Sequence, residues 1–108
     1  MNESDDDPTF EESAPEQIPA PPSEDEINAA IQQADIDAGG TGDLATIFDT
    51  STNVCATFCF YATGRIGEDD VYFSTPICAP TMERVLDIAR RVYEYLRERY
   101  PIATYRQC

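Results

Sequence analysis

The sequence predicts an α+β fold: a small antiparallel β-meander of three strands, with a fourth available, packed on one long C-terminal amphipathic helix and preceded by a short N-terminal helix. Three observations carry this. β-branched and aromatic residues dominate Val54 to Ile77, apolar residues recur at helical spacing from Met82 to Tyr100, and prolines and acids crowd the first 28 residues of the 108-residue chain.

Residues 1–22 hold five of the eight prolines and two isolated large apolar residues, Phe10 and Ile18. Such composition cannot bury enough apolar area to offset chain entropy, so a disordered acidic arm is expected over 1–22, followed by a single small domain over 23–108. The charge divides along nearly the same line. Residues 1–28 carry ten of the 21 acids and none of the seven arginines, a charge of −10; the remainder, with 11 acids and seven arginines, carries −4 of the total −14. The arm reads either as a solubilising tail or as a docking segment. In the second reading Phe10, flanked by Asp5, Asp6, Asp7, Glu11 and Glu12, enters a partner's pocket while the carboxylates meet its basic residues.

Ser23 followed by Glu26 forms a capping box, so a helix is expected from Glu24. Ile27, Ala30, Ile31 and Ala34 make its apolar face, and Gly39-Gly40 ends it. Leu44–Phe48 reads as a short strand, and Asp49 to Asn53 as a turn. Val54 to Ile66 is the longest β signal; Gly67-Glu68-Asp69-Asp70 makes a four-residue turn and Val71 to Ile77 returns. Pairing Ile66 with Val71 places Phe60 opposite Ile77, Gly64 opposite Phe73 and Cys59 opposite Cys78, and gathers the large apolar residues on one face. Pro80 and Thr81 open the long helix, whose stripe is Met82, Val85, Leu86, Ala89, Val92, Tyr93, Leu96 and Tyr100. Ile102–Tyr105 supplies the optional last edge strand, with Arg106, Gln107 and Cys108 frayed.

Several function classes are disfavoured. With no histidine the chain lacks the commonest general base and zinc ligand, and no catalytic residue is assigned. No basic stripe offers phosphate contacts, so direct nucleic-acid binding is not expected. No apolar run reaches membrane-span or signal-peptide length, so a soluble, cytoplasmic protein is expected, in the host cytoplasm if it is viral. Cys55 and Cys59 stand about 13 Å apart on one strand, too far to share a metal. A Cys59–Cys78 disulfide is conceivable, but in a reducing compartment all four cysteines are expected as free thiols, with no metal and no cofactor. Arg90, Arg91, Arg97 and Arg99 form a basic cluster that could hold the acidic arm.

The hairpin face turned away from the helix carries Cys55, Thr57, Cys59, Tyr61, Thr63, Arg65, Tyr72 and Ser74, and Tyr61, Arg65 and Tyr72 are its candidate partner-binding residues, since tyrosine and arginine favour interfaces. The functional expectation is a non-enzymatic acidic adaptor or inhibitor that occupies a basic, nucleic-acid-binding type of surface on a partner protein, as a phage or viral counter-defence protein would. The alternative is an assembly subunit that makes homo-oligomers or docks through the Cys/Tyr face.

Overall fold

Ser23 caps the first helix as expected. In the computed structural model, which describes residues 19–63 and 71–108, Glu26 N–H donates to Ser23 Oγ (3.2 Å) and Ser23 N–H donates to Glu26 Oε1 (3.4 Å). Helix α1 (Glu24–Asp37) buries Ile27, Ala30, Ile31 and Ala34 on the anticipated face. Gly39, at φ 102°, supplies the left-handed residue past the helix end. Ahead of the cap, Pro22 is buried, and the Tyr72 hydroxyl reaches the carbonyls of Pro19 (2.9 Å) and Ala20 (3.1 Å), so 19–22 pack onto the domain.

Leu44–Phe48 is not a strand. It begins a one-turn helix, α2 (Leu44–Ile47), because Asp43 caps it: Asp43 Oδ1 accepts from Ala45 N–H (3.3 Å) and Oδ2 from the Thr46 hydroxyl (2.9 Å). Strand propensity could not prevail there, since both edges of the strand that follows are occupied. That strand, β1 (Val54–Ala62), pairs antiparallel with β2 (Phe73–Ala79) on one side and β3 (Ile102–Gln107) on the other, giving the order β2-β1-β3. The fold is α+β with a three-stranded antiparallel sheet, as the sequence predicts. Its third strand is the C-terminal segment rather than Leu44–Phe48, and its order is not that of a meander.

The hairpin register differs from the expectation by four residues. Phe60 pairs with Phe73, Ala56 with Ile77 and Cys55 with Cys78; among the described residues Phe60 is the last of β1 paired in this ladder. The expected turn at 67–70, with Ile66 and Gly64, lies outside the described residues. A shift of four leaves every side chain on its own face, so hydrophobic alternation fits both registers equally well. Contact chemistry separates them: Phe60 and Phe73 stack with centroids 4.5 Å apart, and Phe60 also stacks on Tyr105 of β3 at 5.6 Å.

Helix α3 (Met82–Leu96) is capped by Thr81, whose hydroxyl accepts from Arg84 N–H (3.2 Å). It lies on the sheet beside α1, and the two helices share one core with Ala56, Phe58, Phe60, Phe73, Ile77 and Ile102. Packing against both neighbours turns its buried stripe toward α1. Val85, Ile88, Ala89, Val92 and Leu96 are buried, while Met82 and Leu86, expected inside, are exposed. The segment expected to fray is the end of β3, held by pairing of Arg106 with Cys59 and Gln107 with Phe58.

Candidate binding surfaces

One face of the sheet carries the helices. The other presents Cys55, Thr57, Cys59 and Tyr61 from β1, flanked by Ser74, Pro76 and Cys78 of β2 and by Thr104 and Arg106 of β3. The expectation of free thiols fails: all four cysteines are oxidised, in Cys55–Cys78 and Cys59–Cys108. The conceivable Cys59–Cys78 pair fails with the register. Cys55 stands directly opposite Cys78, with Cα atoms 4.0 Å apart, and Cys59 faces Ser74 on that side. On its other side Cys59 reaches Cys108, which follows β3, at a Cα separation of 5.7 Å. The central strand is thus stapled to both neighbours. Among the described residues, no group of three or more Cys, Asp or Glu side chains is placed to hold a metal ion.

Tyr61, expected as an exposed anchor, is only 6 % exposed. Arg106 covers it: the guanidinium carbon stands 4.9 Å from the ring centroid, and Arg106 Nε donates to the tyrosine hydroxyl (3.2 Å). Arg106 is therefore the residue this face offers, and the sequence reading passed over it because only the pairing of β3 with β1 brings it there. Tyr72 does not join Tyr61. Its N–H donates to the Phe60 carbonyl (2.8 Å) while Phe73 pairs with the same residue, the two-against-one count of a β-bulge. The bulge interrupts alternation and leaves Tyr72 against the helix-side core, edge-on to Phe73 at 5.9 Å, where burial raises its pKa. Arg65 and the arm residues Asp5, Asp6, Asp7, Phe10, Glu11 and Glu12 lie outside the described residues.

Three of the four clustered arginines on and just past α3 meet acids of the domain itself, and the fourth, Arg97, lies over the Tyr93 ring, 5.2 Å from its centroid. Arg90 bridges Asp87 (2.9 Å) and Glu94 (3.1 Å), Arg91 meets Asp87 (3.2 Å), and Arg99 approaches Glu26 (3.7 Å). Along the seam between α1 and α3 two tyrosines donate to carboxylates, Tyr100 to Glu26 and Tyr95 to Asp37. Each bond holds its carboxyl below the ordinary range and its tyrosine above it.

A second surface was not anticipated. A cleft of about 490 Å³ opens between the outer edge of β2 and the first turns of α1 with α2. Ser74, Thr75 and Pro76 form the strand wall; Ile27, Asn28, Leu44 and Phe48 form the helical wall, with Glu24 at the rim. Pro76 was the signal for it, since a proline inside a strand marks an edge. No protein-family model, curated protein or solved structure matches this chain.

Proposed function

We propose that the chain is an acidic, non-enzymatic binding protein, an adaptor or inhibitor that occupies a basic surface of a partner protein. The observation that carries this is the concentration of charge ahead of the fold. Residues 1–18 hold seven acids and no arginine, a charge of −7 on 18 residues, whereas residues 19–108, with 14 acids and seven arginines, spread the other −7 over the domain, where Arg90, Arg91 and Arg99 are matched to carboxylates. A negative segment presented by a small cross-linked domain steers toward positive surfaces and competes for sites shaped to take phosphates. With every cysteine committed to a disulfide and no histidine in the sequence, thiol catalysis and histidine general-base catalysis have no residue to draw on.

The test is capture of partners by the full-length chain beside a chain lacking residues 1–18, the cut stopping short of the Pro19 and Ala20 carbonyls that Tyr72 holds. Binding that weakens steeply with salt and vanishes on truncation supports the reading; salt-independent binding by the truncated chain refutes it.

No helix among the described residues is long and apolar enough to cross a membrane. The cytoplasmic placement expected from the sequence went with reduced cysteines, so two disulfides favour a compartment where disulfides persist. A second reading, assembly with copies of itself, is favoured by exposed Val54, Met82 and Leu86 and by the edge position of β3. Light scattering on the native chain and on Leu86→Glu separates the two readings, since only an assembly dissociates on that change.

A further inference from the structure

We propose that the cleft beside β2 is a strand-addition site for an extended, basic segment of the partner, with one apolar side chain seated between Ile27, Leu44 and Phe48. This rests on the protein-binding reading above and names the chemistry of the partner.

The position of the cleft is fixed by its lining. Ser74 and Pro76 project to the open face of the sheet and Thr75 to the helix face, so a cavity that touches all three lies off the strand's edge, not beneath the sheet. The phase of pairing is fixed as well. A Cα separation of 4.0 Å between Cys55 and Cys78 belongs to the close, non-hydrogen-bonded kind of antiparallel pair, so Cys78, Pro76 and Ser74 turn their backbone groups away from β1. Proline is tolerated at position 76 for that reason: the N–H it lacks would face outward. The edge therefore offers the cleft the Ser74 N–H and the Ser74 and Pro76 carbonyls, a short row to which an incoming backbone can bond.

The side-chain chemistry fits the same occupant. Leu44 and Phe48 are half-buried, with apolar surface left toward the cleft, and the volume is in the range of sites that take a large side chain or small ligand. Thr75 is 6 % exposed, yet the only hydrogen bond its hydroxyl makes among the described residues is a long one, 3.3 Å, to the neighbouring Pro76 carbonyl. Glu24 is the single ionisable group of the lining, and exposed Asp25 follows it. Residues 1–18, with seven acids and no base, would set like charge against that rim, whereas a lysine- or arginine-bearing partner segment would complement it.

The test is a titration of the isotope-labelled full chain, disulfides intact, with the peptide acetyl-Arg-Val-Phe-Val-Arg-amide, followed by backbone amide shifts. Saturable shifts confined to Ser74, Thr75, Ile77, Ile27, Asn28 and Leu44–Phe48 are expected. Replacing the peptide's phenylalanine by alanine should weaken binding about tenfold or more. N-methylation of alternate peptide nitrogens should abolish binding, and Glu24→Arg should weaken it about threefold while improving binding of the Glu-ended analogue. Shifts centred elsewhere, full affinity of the N-methylated peptide, or no saturation at millimolar peptide would each overturn the proposal. The two readings fail separately: a failed titration with arm-dependent, salt-sensitive capture intact removes the cleft alone, and peptide binding without such capture removes the arm's role alone.

Discussion

Cys59, in the middle of the central strand, is bonded to Cys108 just past β3, so the edge strand that completes the sheet is covalently held to its neighbour. The bond closes a separation of 49 residues and Cys55–Cys78 one of 23. On the chain-entropy account, loss of the first costs about 4 kcal/mol and of the second about 3 kcal/mol. The pair C59S/C108S should therefore lower the melting temperature more than C55S/C78S. Hydrogen exchange should place the loss in the amides of β3 for the former and of β2 for the latter. Equal protection of β3 in both double variants would contradict this assignment.

The seam between α1 and α3 makes stability depend on pH at both ends. Tyr100 lowers the Glu26 pKa by its hydrogen bond, with Arg99 adding to it, and Tyr95 does the same for Asp37. A carboxyl whose folded pKa is depressed contributes stability that is present above its unfolded value, about 4, and is lost as pH falls through the folded one. Tyr95 and Tyr100 have raised values, so their contribution is present below the unfolded tyrosine value, about 10, and is lost as pH rises through the folded one. Thermal unfolding across pH should show a shallower loss on both sides for Tyr95→Phe/Tyr100→Phe than for the parent chain. An unchanged profile would mean these bonds carry no proton linkage.

How much was legible follows from the range of each signal. The capping box at Ser23, the apolar face of α1 and the start of α3 depend on neighbours within a turn or two, and they appear where the sequence puts them, although α3 ends at Leu96, a turn short of the Tyr100 that its stripe reached. The hairpin register could not be read, because Phe60 against Phe73 and Phe60 against Ile77 obey the same alternation and the long connection does not choose between them. The Asp43 cap was a local signal that went unused in favour of the β-branched run behind it. Arg106 over Tyr61 and the cleft beside β2 needed the strand order itself, which no local pattern encodes.

The turn of α3 toward α1 gives a direct check on that packing. Ile88 is 0 % exposed and Leu86 is 49 % exposed, although the sequence stripe included Leu86 and omitted Ile88. Ile88→Ala should cost about 2–5 kcal/mol through lost burial and the cavity left among α1, α3 and the sheet. Leu86→Ala should stay within about 0.5 kcal/mol. Denaturant unfolding with an unchanged m-value measures both, and a larger cost at Leu86 would place the stripe where the sequence first suggested.

Asp35 fixes the loop that carries the chain from α1 to α2. It is a buried carboxylate at the end of α1 that accepts from the Gly42 N–H (2.9 Å), while its own carbonyl accepts from Gly40 N–H (2.7 Å). The loop folds so tightly over the acid that a Cβ on Gly40 would collide with the Asp35 carboxyl group. Gly40→Ala should thus cost about 1–3 kcal/mol by overpacking. Asp35→Ala should also destabilise, by leaving the Gly42 N–H without its acceptor. The two losses should not add. Once the carboxylate is gone the alanine methyl has room, so the double variant should be more stable than the sum of the single changes implies, by at least about 0.5 kcal/mol. Strict additivity in the double-mutant cycle would show that Gly40 is required for its backbone and not for the space Asp35 occupies.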